Sequence, residues 1–233
     1  MKKLKATKKS KKHSFEAEYF AGYYKAMVGE FADADLNRAV NWFWGWFQAL
    51  KKDLKLDNPN KRQVLEVGCS IGGASRILTD YGFSVTATDV SKYAVDRAKK
   101  LSPDINFQVW DVMKPFPKKT QKFDLIFGFE VIEHLDDPVT ALKNMRSMLT
   151  PTGQVLFSTP FPFDYVYLDP THVSVHSPDE WVEIFKKAGY TKLKLKKRLF
   201  IPFLYRLSKH LHFSLPYSVN TPYINSTLFI LGR

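Results

Sequence analysis

Two carboxylates and an imidazole fall within five residues at Glu130-Val131-Ile132-Glu133-His134, just beyond an apolar segment, Phe123 to Phe127. Oxygen and nitrogen donors this close together can hold Mg²⁺ or a similar ion, which would acidify a hydroxyl brought against it. In that reading Glu130, Glu133 and His134 are the ligands, and His172 or His176 can add another from a later loop. The alternative is that the run is only a loop and helix start, since Asp136-Asp137-Pro138 follows at once. Without metal, the histidines themselves are the candidate bases, because an unperturbed imidazole titrates near neutrality. His172 and His134 are then the catalytic candidates, with His176 on the substrate side.

Those residues need elements to position them, and the clearest is Val64-Leu65-Glu66-Val67-Gly68-Cys69-Ser70-Ile71-Gly72-Gly73. The spacing predicts a buried strand, a glycine turn and a helix from Ala74 to Tyr81, an order that aims backbone N–H groups at a ligand. A second strand, Ser84 to Thr88, ends at Asp89, where an open parallel sheet puts the carboxylate that holds ribose hydroxyls. A phosphate-binding loop would need Lys and then Ser or Thr after its last glycine, but Ala74-Ser75 stands there. The dinucleotide fingerprint needs glycine at its second position, which is Ser70. A cofactor with adenine and ribose but no phosphate fits both departures, and S-adenosylmethionine is the common one.

These motifs resemble the class I S-adenosylmethionine-dependent methyltransferases over roughly residues 62 to 197 and the last strand. The nearest in kind are small-molecule O-methyltransferases of the ubiquinone-biosynthesis type. Glu66-Val67-Gly68-Cys69-Ser70-Ile71-Gly72 is similar to the first motif, Asp89 to the ribose acid, and Asp111 to the acid that reads the adenine amino group. Phe123 to Phe127 and the Glu130 to Pro138 run are similar to the fourth strand and its loop. The resemblance implies a cofactor site of Glu66, Gly68, Cys69, Ser70, Gly72, Asp89, Val90, Asp111, Val112, Phe129 and Glu130. It also implies metal at the Glu130, Glu133, His134 cluster in those relatives that carry one, and an acceptor-side loop from Thr159 to His172.

The expected fold is α/β, a Rossmann-like doubly wound sheet of seven strands, mostly parallel with an antiparallel last strand, plus an N-terminal helical lid. Expected helices run from Leu36 to Leu54, from Ser91 through Lys100, from Val139 to Leu149 and from a capping box at Ser177-Pro178-Asp179-Glu180 to Gly189. Strands are expected at Asn106–Trp110, Gln154–Ser158, Tyr190–Lys196 and Asn225–Leu231, with a turn at Thr150 to Gly153. The expected organisation is a basic tail (1–14), a helical lid (15–60) and a methyltransferase domain (61–233) with a substrate-side insertion (198–224). Tyr19, Tyr23 and Tyr24 either line an acceptor pocket or pack with the other lid aromatics. The insertion, aromatic and basic, walls an acceptor site, lies on a membrane surface or covers the terminal hairpin.

A chain of 233 residues with 45% hydrophobic content can bury one α/β core. The lone Cys69 excludes an internal disulfide, and no apolar run approaches the ~18 residues of a membrane span, so a cytoplasmic location is expected. Of the +12 net charge, seven lysines lie within the first twelve residues, either as a solvated tail or as an arm for RNA or anionic membrane. Three functions follow: methyl transfer to a small-molecule, sugar or lipid-intermediate acceptor, on oxygen; metal-assisted 2′-O-methylation of RNA; or cofactor binding without catalysis. Oligomeric state has no sequence signal.

Overall fold

The computed structural model describes residues 34–60, 62–117, 121–201, 205, 208–221 and 225–233. Helix α1 spans Ala34–Leu54; then follow β1 Gln63–Val67, α2 Gly73–Asp80, β2 Ser84–Asp89, α3 Lys92–Leu101 and β3 Asn106–Val109. The second half contains β4 Phe123–Gly128, α4 Pro138–Arg146, β5 Leu149–Pro160, α5 Pro178–Lys187, β6 Lys194–Phe200, β7 Ser214–Leu215 and β8 Asn225–Gly232. Short 3₁₀ turns stand at Ile132–His134 and Asp164–Leu168. The eight strands form one sheet in the order β3-β2-β1-β4-β5-β8-β6-β7. Strands β1 to β5 pair in parallel, and β8 is antiparallel to both β5 and β6. The seven expected strands are all present; the eighth, β7, is a two-residue strand within the 198–224 insertion.

The central strands bury both faces, which is why β1, β4 and β8 read as largely apolar runs. On one face Val64, Leu125, Phe127, Phe229 and Leu231 pack against α1, α2 and α3. On the other Leu65, Ile126, Phe157 and Ile230 pack against α4 and α5. The strand order reverses between β1 and β4, so a crevice opens beyond their carboxyl ends. The site residues discussed below lie at the carboxyl ends of β1, β2, β4 and β5 or in the segments that follow β1 to β5.

Local chemistry sets most element boundaries. The Ser91 hydroxyl accepts from Ala94 N–H at 3.2 Å and Asp137 accepts from Thr140 N–H at 3.0 Å, each opening a helix. Ser177 and Glu180 form the expected reciprocal capping box. Three expectations are corrected. Helix α4 ends at Arg146, short of Leu149, because the Met148 carbonyl accepts from Phe123 N–H and the chain has already joined the sheet. The turn expected at Thr150 to Gly153 is a bulge inside β5, which advances from Leu149 to Gln154 while β4 advances only from Phe123 to Leu125. The strand expected at Tyr190–Lys196 starts at Lys194, since Tyr190 is buried, its hydroxyl donating to the Leu142 carbonyl at 3.1 Å. The alternation survives there, but Lys194 and Lys196 reach Asp53 of α1 instead of open solvent.

The segment expected as an N-terminal lid divides. Residues 1–33, with the lysine tail and Tyr19, Tyr23 and Tyr24, lie outside the described residues. Helix α1 belongs to the sheet's own core: Trp46, Phe47, Leu50 and Leu54 are fully buried. Trp46 meets Phe229 at 5.2 Å and Phe129 at 5.0 Å between ring centroids.

Candidate functional site

The glycine turn between β1 and α2 passes through left-handed backbone at Gly68 (φ 71°), Ser70 (φ 49°) and Gly72 (φ 86°). A Cβ at Gly68 would stand 2.3 Å from a Val131 methyl group, so this glycine lets the turn touch the acidic loop. Ser70 has no such freedom and is held by Asp89, whose Oδ2 accepts its N–H at 2.9 Å. The other oxygen, Oδ1, accepts from Ser91 N–H at 2.9 Å. A carboxylate has about four acceptor positions, and these two bonds fix the plane in which the rest face. Asp89 is buried, and Val90 beside it is half exposed, an apolar face at the rim of the crevice.

The remaining cofactor candidates sort into liners and supports. Asp111 follows β3, and its Oδ1 accepts from Met113 N–H at 3.0 Å. Val112 is buried, its carbonyl accepting from the Asn144 side chain at 2.9 Å. Cys69 is buried, its N–H bonded to Thr88 O at 2.9 Å, and burial pushes its thiol well up, away from thiolate chemistry. Glu66 is a support: its carboxyl meets the Ser75 hydroxyl on the first turn of α2. Burial pushes Glu66 up to about 8, against the pull of the Ser75 bond and with help from the Asp89 charge. Phe129 is also a support, stacked on Phe43 at 5.4 Å and enclosed by Trp46 and Phe47 of α1.

The acidic loop follows β4. Glu130 has left-handed backbone (φ 53°). Its N–H donates to Ser158 Oγ at 2.9 Å, and the same hydroxyl donates to Glu130 Oε1 at 2.7 Å. Burial pushes Glu130 up to about 7 despite the hydrogen bond from the Ser158 hydroxyl. Glu133 is fully buried and neither of its oxygens has a hydrogen-bond partner; the nearby Thr159 hydroxyl is likewise unpartnered. Burial, reinforced by the charge on Glu130, pushes Glu133 well above the carboxylate range.

Two imidazoles face this carboxyl, with ring centroids 4.8 Å apart. His134 Nδ1 lies 3.1 Å from the Thr171 carbonyl and 3.0 Å from its hydroxyl, which itself donates to Asp169 Oδ1 at 2.6 Å. His172 Nδ1 lies 2.8 Å from the Val166 carbonyl, and its Nε2 3.7 Å from Asp169 Oδ2. Carbonyls only accept, so each Nδ1 carries a proton, and in the neutral ring the lone pair is on Nε2. Burial raises Asp169, but the Thr171 hydroxyl and N–H, with both imidazoles, bring it below its ordinary value.

Glu133, His134 and His172 offer donor atoms all within 4.8 Å of one another. Among the described residues, then, the structure joins two of the three expected metal ligands, Glu133 and His134, to the other catalytic candidate, His172. Glu130 does not complete that set, being bonded to Ser158. His176 stands elsewhere, bonded to Ser174 at 2.9 Å and edge-on to Trp181, its imidazole pushed down by burial. Sequence reading missed Ser158, Thr159, Asp169 and Thr171, which position the cluster, and Tyr165, whose phenol feels the Glu130 charge. Only the two-residue spacing of Asp169 and Thr171 signals a local turn; nothing local links them to His134.

A parallel sheet reversing at β1 and β4, a glycine turn without a phosphate-binding lysine and a buried carboxylate, Asp89, at the end of β2 are features of a methyltransferase domain. Residues 43–195 match the methyltransferase domain family, and the chain belongs to it. It is 36% identical over 102 residues to a ubiquinone biosynthesis O-methyltransferase of Coxiella burnetii, covering 42% of this chain and 43% of that one. To a 2-methyl-6-phytyl-1,4-hydroquinone methyltransferase of Synechocystis it is 40% identical over 100 residues, covering 41% and 31%. The match therefore spans less than half the length of these curated relatives. Its fold is that of the S-adenosylmethionine-dependent methyltransferases: one from Archaeoglobus fulgidus superposes with a TM-score of 0.61 at 16% identity, covering 92% of this chain and 99% of that one. A Haemonchus contortus phosphoethanolamine N-methyltransferase 2, solved with phosphomonomethylethanolamine and S-adenosylhomocysteine, gives 0.61 at 18% identity, covering 91% and 60%.

Proposed function

We propose that the chain transfers a methyl group from S-adenosylmethionine to a hydroxyl of a small phenolic or lipid-intermediate acceptor. The observation that carries this reading is the His134–His172 pair, both lone pairs on Nε2, standing in the loops beside the glycine turn. The bound sulfonium supplies an activated methyl group. The turn from Gly68 to Gly72, with Asp89, Val90 and Asp111, holds the donor. His172, positioned by Val166, takes the proton from the acceptor hydroxyl; His134 lies beside it, held by Thr171. The names of the quinone-pathway relatives support a phenolic hydroxyl as the acceptor group.

A second reading adds a metal ion, and the unpartnered oxygens of buried Glu133 favour it. Glu133, His134 and His172 would hold the ion, and it would lower the pKa of an acceptor hydroxyl. Two imidazoles and one carboxylate suit Zn²⁺, Fe²⁺ or Mn²⁺ better than Mg²⁺, which prefers a shell of oxygens.

The test is transfer from labelled S-adenosylmethionine to catechols, hydroquinones, amines and tRNA, with and without a chelator. Phenolic transfer that His172→Ala lowers by about 10²-fold or more supports the base assignment. Loss of activity on chelation, restored by one transition metal, supports the second reading. Transfer confined to tRNA, or calorimetry showing no S-adenosylmethionine binding, overturns the first.

A further inference from the structure

Apart from Val90 and Val109, the exposed large apolar side chains among the described residues gather in two segments. One carries Tyr167, Leu168 and Val173; the other carries Ile201 and, from Leu211 to Val219, five more. Both leave the same end of the sheet. Pro160, the last residue of β5, and Arg198 of β6 both pair with Thr227 of β8, so the two segments start level on either side of that strand. This is also the end where Glu130 and the two histidines stand.

In the second segment every odd position from 211 to 219 is an exposed apolar residue: Leu211, Phe213, Leu215, Tyr217 and Val219. Between them His212, Ser214 and Ser218 are partly covered, and Pro216 is exposed. Extended chain alternates sides, and an edge facing water ordinarily shows its polar side. Here the apolar side faces out.

Charge identifies what such a face meets. From Ile184 to Arg233 there is no Asp or Glu, against ten Lys and Arg, of which Lys186, Lys194 and Lys196 pair with Glu183 and Asp53. Lys197, Arg198 and Lys209 flank the apolar segment. Apolar side chains rimmed by unopposed cations fit the interface of an anionic bilayer, where the former enter below the headgroups and the latter stay among the phosphates. Single-stranded RNA would also meet the charge, but it binds by stacking bases on aromatic rings. Ile201, Leu211, Leu215 and Val219 have no ring.

We propose that this end of the sheet, through Ile201 and residues 208–219, docks on an anionic phospholipid surface. The crevice then opens toward the bilayer, and a lipid-intermediate acceptor enters from it; that second clause rests on the function proposed above, whereas docking does not. The full chain is to be sedimented with vesicles of phosphatidylcholine alone and of phosphatidylcholine with phosphatidylglycerol, at low and high salt. The expected result is binding to the anionic vesicles that weakens with salt, and that falls about tenfold or more in Leu211→Ser/Phe213→Ser/Leu215→Ser. Tyr217→Ser/Val219→Ser, also at exposed positions, is expected to act the same way should the triple variant fail to fold. Equal binding to both vesicle types, or variants that bind like the parent, overturns the proposal. So does variant-sensitive binding of polyuridylate without vesicle binding. Methyl transfer to a water-soluble catechol is expected to survive in the variants, so a parent that docks but transfers nothing removes the proposed function and leaves the docking.

Discussion

Replacing Glu66 with Gln should make the protein more resistant to alkaline pH. The Glu66 carboxyl is 3% exposed, and burial lifts it from an ordinary 4.5 to about 8. Between those two values the folded state binds a proton that the unfolded state has released. Stability is therefore complete below pH 4.5 and is lost as pH rises through 8. At 1.36 kcal/mol per pH unit, the interval from 4.5 to about 8 puts the ceiling of this loss at about 5 kcal/mol. Glutamine has the size of the protonated acid, can still bond Ser75 and never ionises. The assay is urea unfolding of parent and Glu66→Gln from pH 4.5 to 9 at fixed ionic strength, compared as a difference so that Glu130 and Glu133 cancel. The two should agree within about 1 kcal/mol at pH 4.5, with the variant ahead by several by pH 9. A flat difference, or a parent that gains on the variant as pH rises, would falsify the claim that Glu66 is held as a neutral acid.

Gly68→Ala places a methyl group 2.3 Å from Val131 in left-handed backbone, and a loss of about 3 kcal/mol or more is expected by chemical denaturation. Adding Val131→Ala should recover part of it, and no recovery would place the strain elsewhere. Trp46→Ala removes a fully buried ring between Phe129, Phe200 and Phe229 and should cost about 3–5 kcal/mol, read as a lower urea midpoint at unchanged slope. Ser177→Ala breaks the capping box of α5 and should cost about 1 kcal/mol, with Glu180→Gln alone costing less; equal losses would contradict a cap led by the serine.

The fold was legible wherever local chemistry and global packing agree. The caps at Ser91, Asp137 and Ser177 lie where side chain and backbone bond within four residues, and apolar strands β1, β2 and β4 could belong only to a sheet buried on both faces. The misread boundaries were set at a distance. The Met148 carbonyl is taken by Phe123 and Tyr190 is drawn to Leu142, so α4 stops early and β6 starts late. The turn signal at Thr150 to Gly153 was real, but pairing with β4 at Leu149 and again at Gln154 absorbed it as a bulge.

The site divides in the same way. The glycine turn and Asp89 announced themselves because a ligand at backbone distance restricts residue type. His134 and His172 were candidates by chemistry, and only the tertiary path through Thr171 and Val166 fixes which nitrogen of each carries the proton. Glu66 and Phe129 sit inside a cofactor motif yet face the core, a distinction of side-chain direction that motif spacing does not encode.

The packing of α1 also bears on the order in which the chain folds. Trp42, Phe43, Trp46 and Phe47 are among the first aromatics made, yet Trp46 finds Phe229 only when the last strand exists. Loop closure over so long a separation is slow, and domains acquire their contacts as synthesis proceeds from the amino end. The helix that buries Phe129 and so steadies the loop at Glu130 is thus the earliest of the described elements to be made and the last of them to be completed. Until β8 arrives its aromatic face is sticky, and a ribosome-bound chain lacking that strand is the species most in need of a chaperone.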